Sequence, residues 1–235
     1  MSPGAIVAIV IGGVIGLLVL AGVAVALLGT EADSSFSSVG SSIDGSDGDE
    51  GDPGTTAPAA DVPEGFEVAE GDGVVMATPV GWELIDAADV AMGRDEFVEA
   101  FPNAPPEMVE QGMNVFEQGA VLVAFDFSGG DFASNVNVIE IPGEAPLGAI
   151  EDQAVQQLGT LGGEVVESGL VDVAIGEALR IEYTLAVAAP DGSSVPARGV
   201  QFYLPVDGST YIITVSTGAD EAGLADQMIE TFRLR

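Results

Sequence analysis

Hydrophobic and polar positions fall along this 235-residue chain in three regimes. From Ala5 to Leu28 no charged residue interrupts a run of Ala, Val, Ile, Leu and Gly. From Glu31 to about Pro63 large apolar residues nearly vanish, and Ser, Gly, Pro, Asp and Glu replace them. From Gly65 onward apolar and polar residues alternate with periods that switch between two and nearly four, the signatures of strand and helix. The pattern divides the chain into an anchor (1–29), a linker (30–63) and one folded domain (64–235).

Within the domain the pattern predicts short strands at Phe66–Val68 and Val74–Thr78, followed by Pro79-Val80-Gly81-Trp82-Glu83-Leu84. A helix is expected over Asp95 to Gln118, broken near Pro102, Pro105 and Pro106. Val121–Phe127 and Asn135–Ile141 read as strands around Ser128-Gly129-Gly130, with Pro142 closing the second. Leu147, Ile150, Ala154, Leu158 and Leu161 form a helical stripe, and Gly162-Gly163 supplies its C-terminal cap. Val165–Val166 is a short strand candidate. From Ala178 to Val187, Ile181, Tyr183 and Leu185 point one way and Arg180, Glu182 and Thr184 the other. Val200, Phe202 and Leu204 follow the same rule, and Val206-Asp207-Gly208-Ser209 is a hairpin turn leading into Tyr211, Ile213 and Val215. A helix with the apolar face Leu224, Ala225, Met228 and Phe232 follows, with Arg233 and Arg235 placed in its last turn, where cations suit the dipole. The order ββ-α-ββ-α-ββββ-α predicts an α+β domain: an antiparallel sheet flanked by helices, preceded by one transmembrane helix.

The twenty-four residues from Ala5 to Leu28 reach ~36 Å as a helix, enough for a hydrocarbon core of ~30 Å. The run exceeds a signal-peptide core of roughly 7–15 residues, and Met1 to Gly4 contain no Lys or Arg. An uncleaved single-pass anchor is therefore expected, N-terminus cytoplasmic and the domain outside the cell. Gly12 and Gly16 form a GxxxG pair, a close-approach motif that is also ordinary composition for a membrane span. The linker's acidic run Asp44 to Asp52 does not place glycine and the distal glutamate at EF-hand offsets after Asp47, so it reads as a solvated, disordered spacer.

Composition narrows the chemistry. There are 38 acidic residues against five basic ones, all arginine, for a net charge of −33. Nucleic acid is an improbable partner, because binding it needs cations to displace counterions. A cationic or apolar partner or a metal ion fits better, although the acidity also suits a saline or alkaline habitat, with usage resembling that of actinobacteria. Cysteine, histidine and lysine are absent, which removes disulfides, thiolate nucleophiles, the Ser-His dyad and the phosphate-loop lysine. No cofactor motif stands out, and Gly71-Asp72-Gly73 reads as a hairpin turn rather than a dinucleotide loop. Paired carboxylates remain: Asp126 with Asp131, and Glu140 with Glu144, any of which a glycosidase would need about 5–10 Å apart in a cleft.

The single tryptophan, Trp82, follows a Pro-x-Gly turn, which places it as a core anchor or, with Pro79 and Gly81, as a wall of a ligand groove. Tyr203 and Arg180 are placed together on the sheet face opposite Phe202 and Tyr183. If helices leave that face open, Arg180, Gln201 and Tyr203 form a polar binding patch; if they cover it, Arg180 pairs near Glu182.

Several of these segments resemble one family. Pro79-Val80-Gly81-Trp82, Gly176-Glu177-Ala178-Leu179-Arg180, Gln201-Phe202-Tyr203-Leu204-Pro205, Asp207-Gly208-Ser209-Thr210-Tyr211 and Thr231-Phe232-Arg233 are similar to those of the PsbP-like superfamily, in its LpqN-type actinobacterial branch, over about Gly65 to Arg235. The resemblance implies a central antiparallel sheet between helices and a non-enzymatic, extracytoplasmic binding or assembly role. It departs from that branch in lacking the lipidated cysteine, which the helix Ala5–Leu28 would replace. The expectation is a membrane-anchored binding or scaffold module for an extracytoplasmic protein or small ligand, in envelope assembly or transport. The alternatives are a carboxylate-based hydrolase of envelope glycans and an inert spacer.

Overall fold

The alternation in the C-terminal third folds as long antiparallel strands, because side chains of period two can bury one set on each face of a sheet. The computed structural model describes residues 62–85, 119–126, 128, 134–188, 194–218, 221 and 223–235. The anchor, nearly all of the linker and the expected helix over 95–118 lie outside the described residues. The strands are β1 (Phe66–Glu70), β2 (Val74–Pro79), β3 (Glu83–Ile85), β4 (Ala120–Phe125), β5 (Asn135–Pro142), β6 (Glu164–Val173), β7 (Gly176–Ala188), β8 (Ser194–Val206), β9 (Ser209–Gly218) and β10 (Arg233–Leu234). Two helices accompany them, α1 (Leu147–Thr160) and α2 (Leu224–Thr231).

The strands make two antiparallel sheets. The larger has seven strands in the order β3-β4-β5-β9-β8-β7-β6, and the smaller has three in the order β1-β2-β10. The second sheet was not anticipated from the sequence. It exists because β10, only two residues long, adds to the free side of β2 through Arg233 opposite Val75 and Leu234 opposite Val74. Arg233 and Arg235 therefore lie beyond α2 rather than in its last turn. Even so, the Arg233 Nη1 donates to the Glu230 and Phe232 carbonyl oxygens at 2.8 and 2.7 Å, serving the helix end from outside.

One face of the large sheet carries Leu122, Val136, Val138, Val200, Phe202, Leu204, Tyr211, Ile213 and Val215. It packs against the small sheet (Val74, Met76) and α2 (Ala225, Met228, Ile229), with Phe232 just beyond the helix. The opposite face carries Leu179, Ile181, Tyr183 and Leu185, and α1 lies over β6 and β7 there, burying Ile150, Ala154 and Leu158. The expected α1 stop is a Schellman motif: Gly163 N donates to the Leu158 oxygen and Gly162 N to the Gly159 oxygen. The β8–β9 hairpin turns through Asp207 (φ 54°) and Gly208 (φ 83°), the left-handed pair of a type I′ turn. Gly71–Gly73 joins β1 to β2 in a tight hairpin, as read. The short strand expected at Val165–Val166 is ten residues long.

Candidate ligand-binding cleft

Three loops converge at one end of the core. The first is Pro79-Val80-Gly81-Trp82, where Trp82 N donates to the Pro79 oxygen at 3.2 Å and Gly81 takes φ +92°. A positive φ at the third position makes this a type II turn, which glycine adopts without a Cβ penalty. The turn is held by Val80 N on the Gly65 oxygen (2.9 Å) and Gly81 N on Glu67 Oε1 (3.0 Å). Trp82 packs partly against the core and turns its remaining surface to the opening.

The second loop follows β4. Asp126 N donates to the Ser134 oxygen at 2.8 Å, and Asp126 Oδ1 accepts from Ser128 N (2.8 Å) and Ser128 Oγ (2.6 Å). The third is the approach to α2, where Glu221 Oε2 accepts from Ser134 Oγ at 2.7 Å and Leu224 and Gln227 face the opening from the helix. Together they enclose an open cleft of about 490 Å³. Its size is that of a small-molecule site.

The cleft is anionic. Asp126 and Glu221 both line it, and no arginine is among its described lining residues. Among the described residues, the guanidinium groups of Arg180 and Arg198 are committed elsewhere. Arg180 donates from Nε to Asp226 Oδ1 at 2.8 Å and from Nη2 to Glu182 Oε2 at 2.9 Å, while Arg198 Nη2 reaches Glu182 Oε1 at 2.5 Å. Glu167 adds a third carboxylate at 3.6 Å from Arg180 Nη1. Burial works to lower the Arg180 pKa, but the hydrogen bonds to Asp226 and Glu182 outweigh it, and the net shift is upward. This network fastens α2 to β7 and β8 beside the cleft.

Of the four residues singled out from the sequence, only Trp82 reaches the cleft. The polar patch of Arg180, Gln201 and Tyr203 does not form, because the register pairs Arg180 with Phe202 and Leu179 with Tyr203. Arg180 therefore shares the Phe202 face, and Gln201 and Tyr203 lie on the other. Both are fully buried, with Tyr203 Oη donating to Gln201 Oε1 at 3.0 Å and Gln201 Nε2 to Thr214 Oγ1 at 3.3 Å. The pairing of Arg180 with Glu182 that the sequence offered as the alternative is present.

Of the candidate carboxylates, Glu140 and Glu144 lie together at the β8–β9 turn and are not among the described lining residues of the cleft. Glu140 Oε1 accepts from Ser209 Oγ at 2.7 Å and Glu144 Oε1 from Gly208 N at 2.9 Å, so both brace the β8–β9 turn. Asp126 lines the cleft, and its suggested partner Asp131 lies outside the described residues. Glu221, Ser128, Leu224 and Gln227 were not foreseen. Nothing in their spacing marks them, since they meet Trp82 only through the folding of three distant loops. Among the described residues no group of three acidic side chains is arranged to hold a metal ion.

Fold and cleft together define an antiparallel α+β domain with two sheets and an acidic, tryptophan-walled opening. Solved structures to which it is similar include PsbP of the cyanobacterium Synechocystis (15% identity, TM-score 0.47, covering 79% of this chain and 99% of that one). They also include the Ran-binding protein Mog1p of Saccharomyces cerevisiae (10%, 0.44, 72% and 95%). A third is LpqN of Mycobacterium tuberculosis, described as involved in cell-envelope biogenesis (10%, 0.41, 68% and 82%). Identities and scores at this level do not transfer function. No family model and no curated protein matches the sequence.

Proposed function

We propose that this chain is a membrane-tethered, non-enzymatic binding module whose ligand enters the cleft beside Trp82 on the extracytoplasmic side. The cleft carries the reading: about 490 Å³ of open volume, walled by the only tryptophan of the chain and by polar groups that hydrogen bonds hold in place. Sites of this volume bury most of a small molecule, and a few fixed polar groups orient it. The uncharged stretch from Ala5 to Leu28 supports the tether, since it is long enough for a bilayer and too apolar for water. Among the described residues no helix is long and apolar enough to cross a membrane, so the anchoring rests on that stretch alone.

Two measurements test the reading. The full-length product should fractionate with membranes and need detergent for release, and protease added to intact cells should remove the domain. Recovery in the soluble fraction without detergent refutes the tether. Trp82 fluorescence of the detergent-solubilised chain should respond saturably to at least one of tetramethylammonium, acetate and glucose. Silence toward all three, with native circular dichroism, refutes the cleft as a small-molecule site.

A further inference from the structure

We infer that the cleft selects a small organic cation, an ammonium group carried on a short alkyl frame. The inference rests on the binding reading above and names its ligand class. Charge decides first. Asp126 and Glu221 put two carboxylates into one opening with no arginine among its described lining residues. Among the described residues, Arg180 and Arg198 lie beside Glu221 but already face three carboxylates, Glu167, Glu182 and Asp226, so their charge is more than matched before Glu221 is counted. The amino end of α2 opens nearby and offers an anion the equivalent of about half a positive charge. Two full negative charges outweigh it.

Shape and surface decide next. A hydrated metal ion would be served by carboxylates alone, but here Trp82 and Leu224 also line the opening. An aromatic face attracts an alkylammonium through its quadrupole, and tryptophan does so best. The carboxylates are also oriented in advance: Ser128 holds Asp126 through two hydrogen bonds and Ser134 holds Glu221 through one. Fixed acceptors around an aromatic wall bind a cation without first having to be ordered. The net charge of −33 adds a long-range field that draws cations toward the domain and repels anions.

The test uses the full-length chain in a non-ionic detergent with about 0.5 M NaCl, which screens diffuse attraction to the acidic surface. Trp82 is the only tryptophan, so its fluorescence reports from the cleft wall. Choline should give a saturable change, and 3,3-dimethylbutan-1-ol, its neutral isostere, should bind roughly tenfold more weakly or worse. The double variant Asp126→Asn, Glu221→Gln should lose the response to choline, and Asp172→Asn on β6 should keep it. Equal binding of choline and the alcohol overturns the cation selectivity while leaving the cleft reading intact. Choline binding unchanged in the double variant places the cation elsewhere and overturns the inference. No response to either compound in the folded wild-type chain sinks the inference and weakens the cleft reading with it. The comparison of the two ligands needs no variant, so a double variant that fails to fold leaves the question decidable.

Discussion

Replacing Gly199 by alanine should destabilise the domain through a single contact. Gly199 on β8 lies directly opposite Tyr183 on β7. A Cβ built on Gly199 would fall among the Cζ, Oη and Cε2 atoms of that ring. Tyr183 is only 2% exposed, so the ring has no solvent to move into. Overfilling a packed core costs about 1–3 kcal/mol, and a clash with three ring atoms belongs at the upper end. Alanine regains roughly 0.5–1 kcal/mol over glycine in backbone entropy. The net loss is about 2 kcal/mol, or roughly 4–8 °C in Tm for a domain of this size. Urea and thermal unfolding of the full-length Gly199→Ala chain measure it. In a Tyr183→Ala background, itself several kcal/mol less stable, the clash is gone and the same substitution should stabilise by roughly 0.5–1 kcal/mol, giving a coupling energy of about 3 kcal/mol. A Tm equal to or above wild type, or a penalty that persists without the ring, refutes the argument.

Other expectations are independent of that contact. Burial pushes Tyr183 and Tyr203 well above the ordinary phenol pKa, Tyr203 further by repulsion from Tyr183. The unfolded chain releases these protons near pH 10 and the folded one holds them, so their contribution is complete below about pH 10 and is lost as pH rises toward the folded values. Because the unfolded phenol titrates around pH 10, each tyrosine loses about 1.4 kcal/mol across the window from about pH 9 to about pH 11, and stability should fall by about 2.7 kcal/mol in all. Tyr203→Phe should halve that loss in urea titrations, and a flat profile contradicts the burial. Glu182→Gln removes the carboxylate shared by Arg180 and Arg198 and should cost about 2 kcal/mol, less than a fully enclosed pair because water reaches Arg198. Guanidinium chloride would mask the charge, so urea midpoints at low salt are the measurement, and no change there argues against the network. Thr231→Val deletes the hydroxyl that accepts from Ala77 N at 2.7 Å inside the core and should cost about 1–3 kcal/mol for the stranded donor. Hydrogen exchange at Ala77 should quicken with it, and unchanged protection would mean that another acceptor serves that amide.

Much of the sheet was legible because β5, β7, β8 and β9 keep strict alternation and end in turn residues. The apolar stripe of α1 and its glycine stop were legible for the same local reason. The relative placing of strands was not. Alternation within β7 and within β8 was read correctly, yet which β8 residue stands opposite Arg180 depends on where the connecting loop lets the strands meet. Pairing with Phe202 rather than Tyr203 moved Arg180 to the other face. β6 escaped because it is an edge strand carrying Glu164, Glu167, Gly169 and Asp172, and its register shifts between Val165 and Glu167, which breaks the period. β10 is too short to have a period. In the cleft, Trp82 could be picked out as a lone aromatic after a type II turn sequence, whereas Glu221 before α2 and Gln227 within it look like ordinary polar residues until the fold brings them to it.

The pairing of β10 with β2 also sets a timetable for biogenesis. Ala77 and Thr231 are 154 residues apart, and Arg235 N closes on the Gly73 oxygen at 3.0 Å. A growing chain must therefore carry β2 with one side unpaired while everything between is made. Contacts this distant in sequence close late and slowly. The small sheet can therefore be completed over the core only once synthesis has reached residue 233.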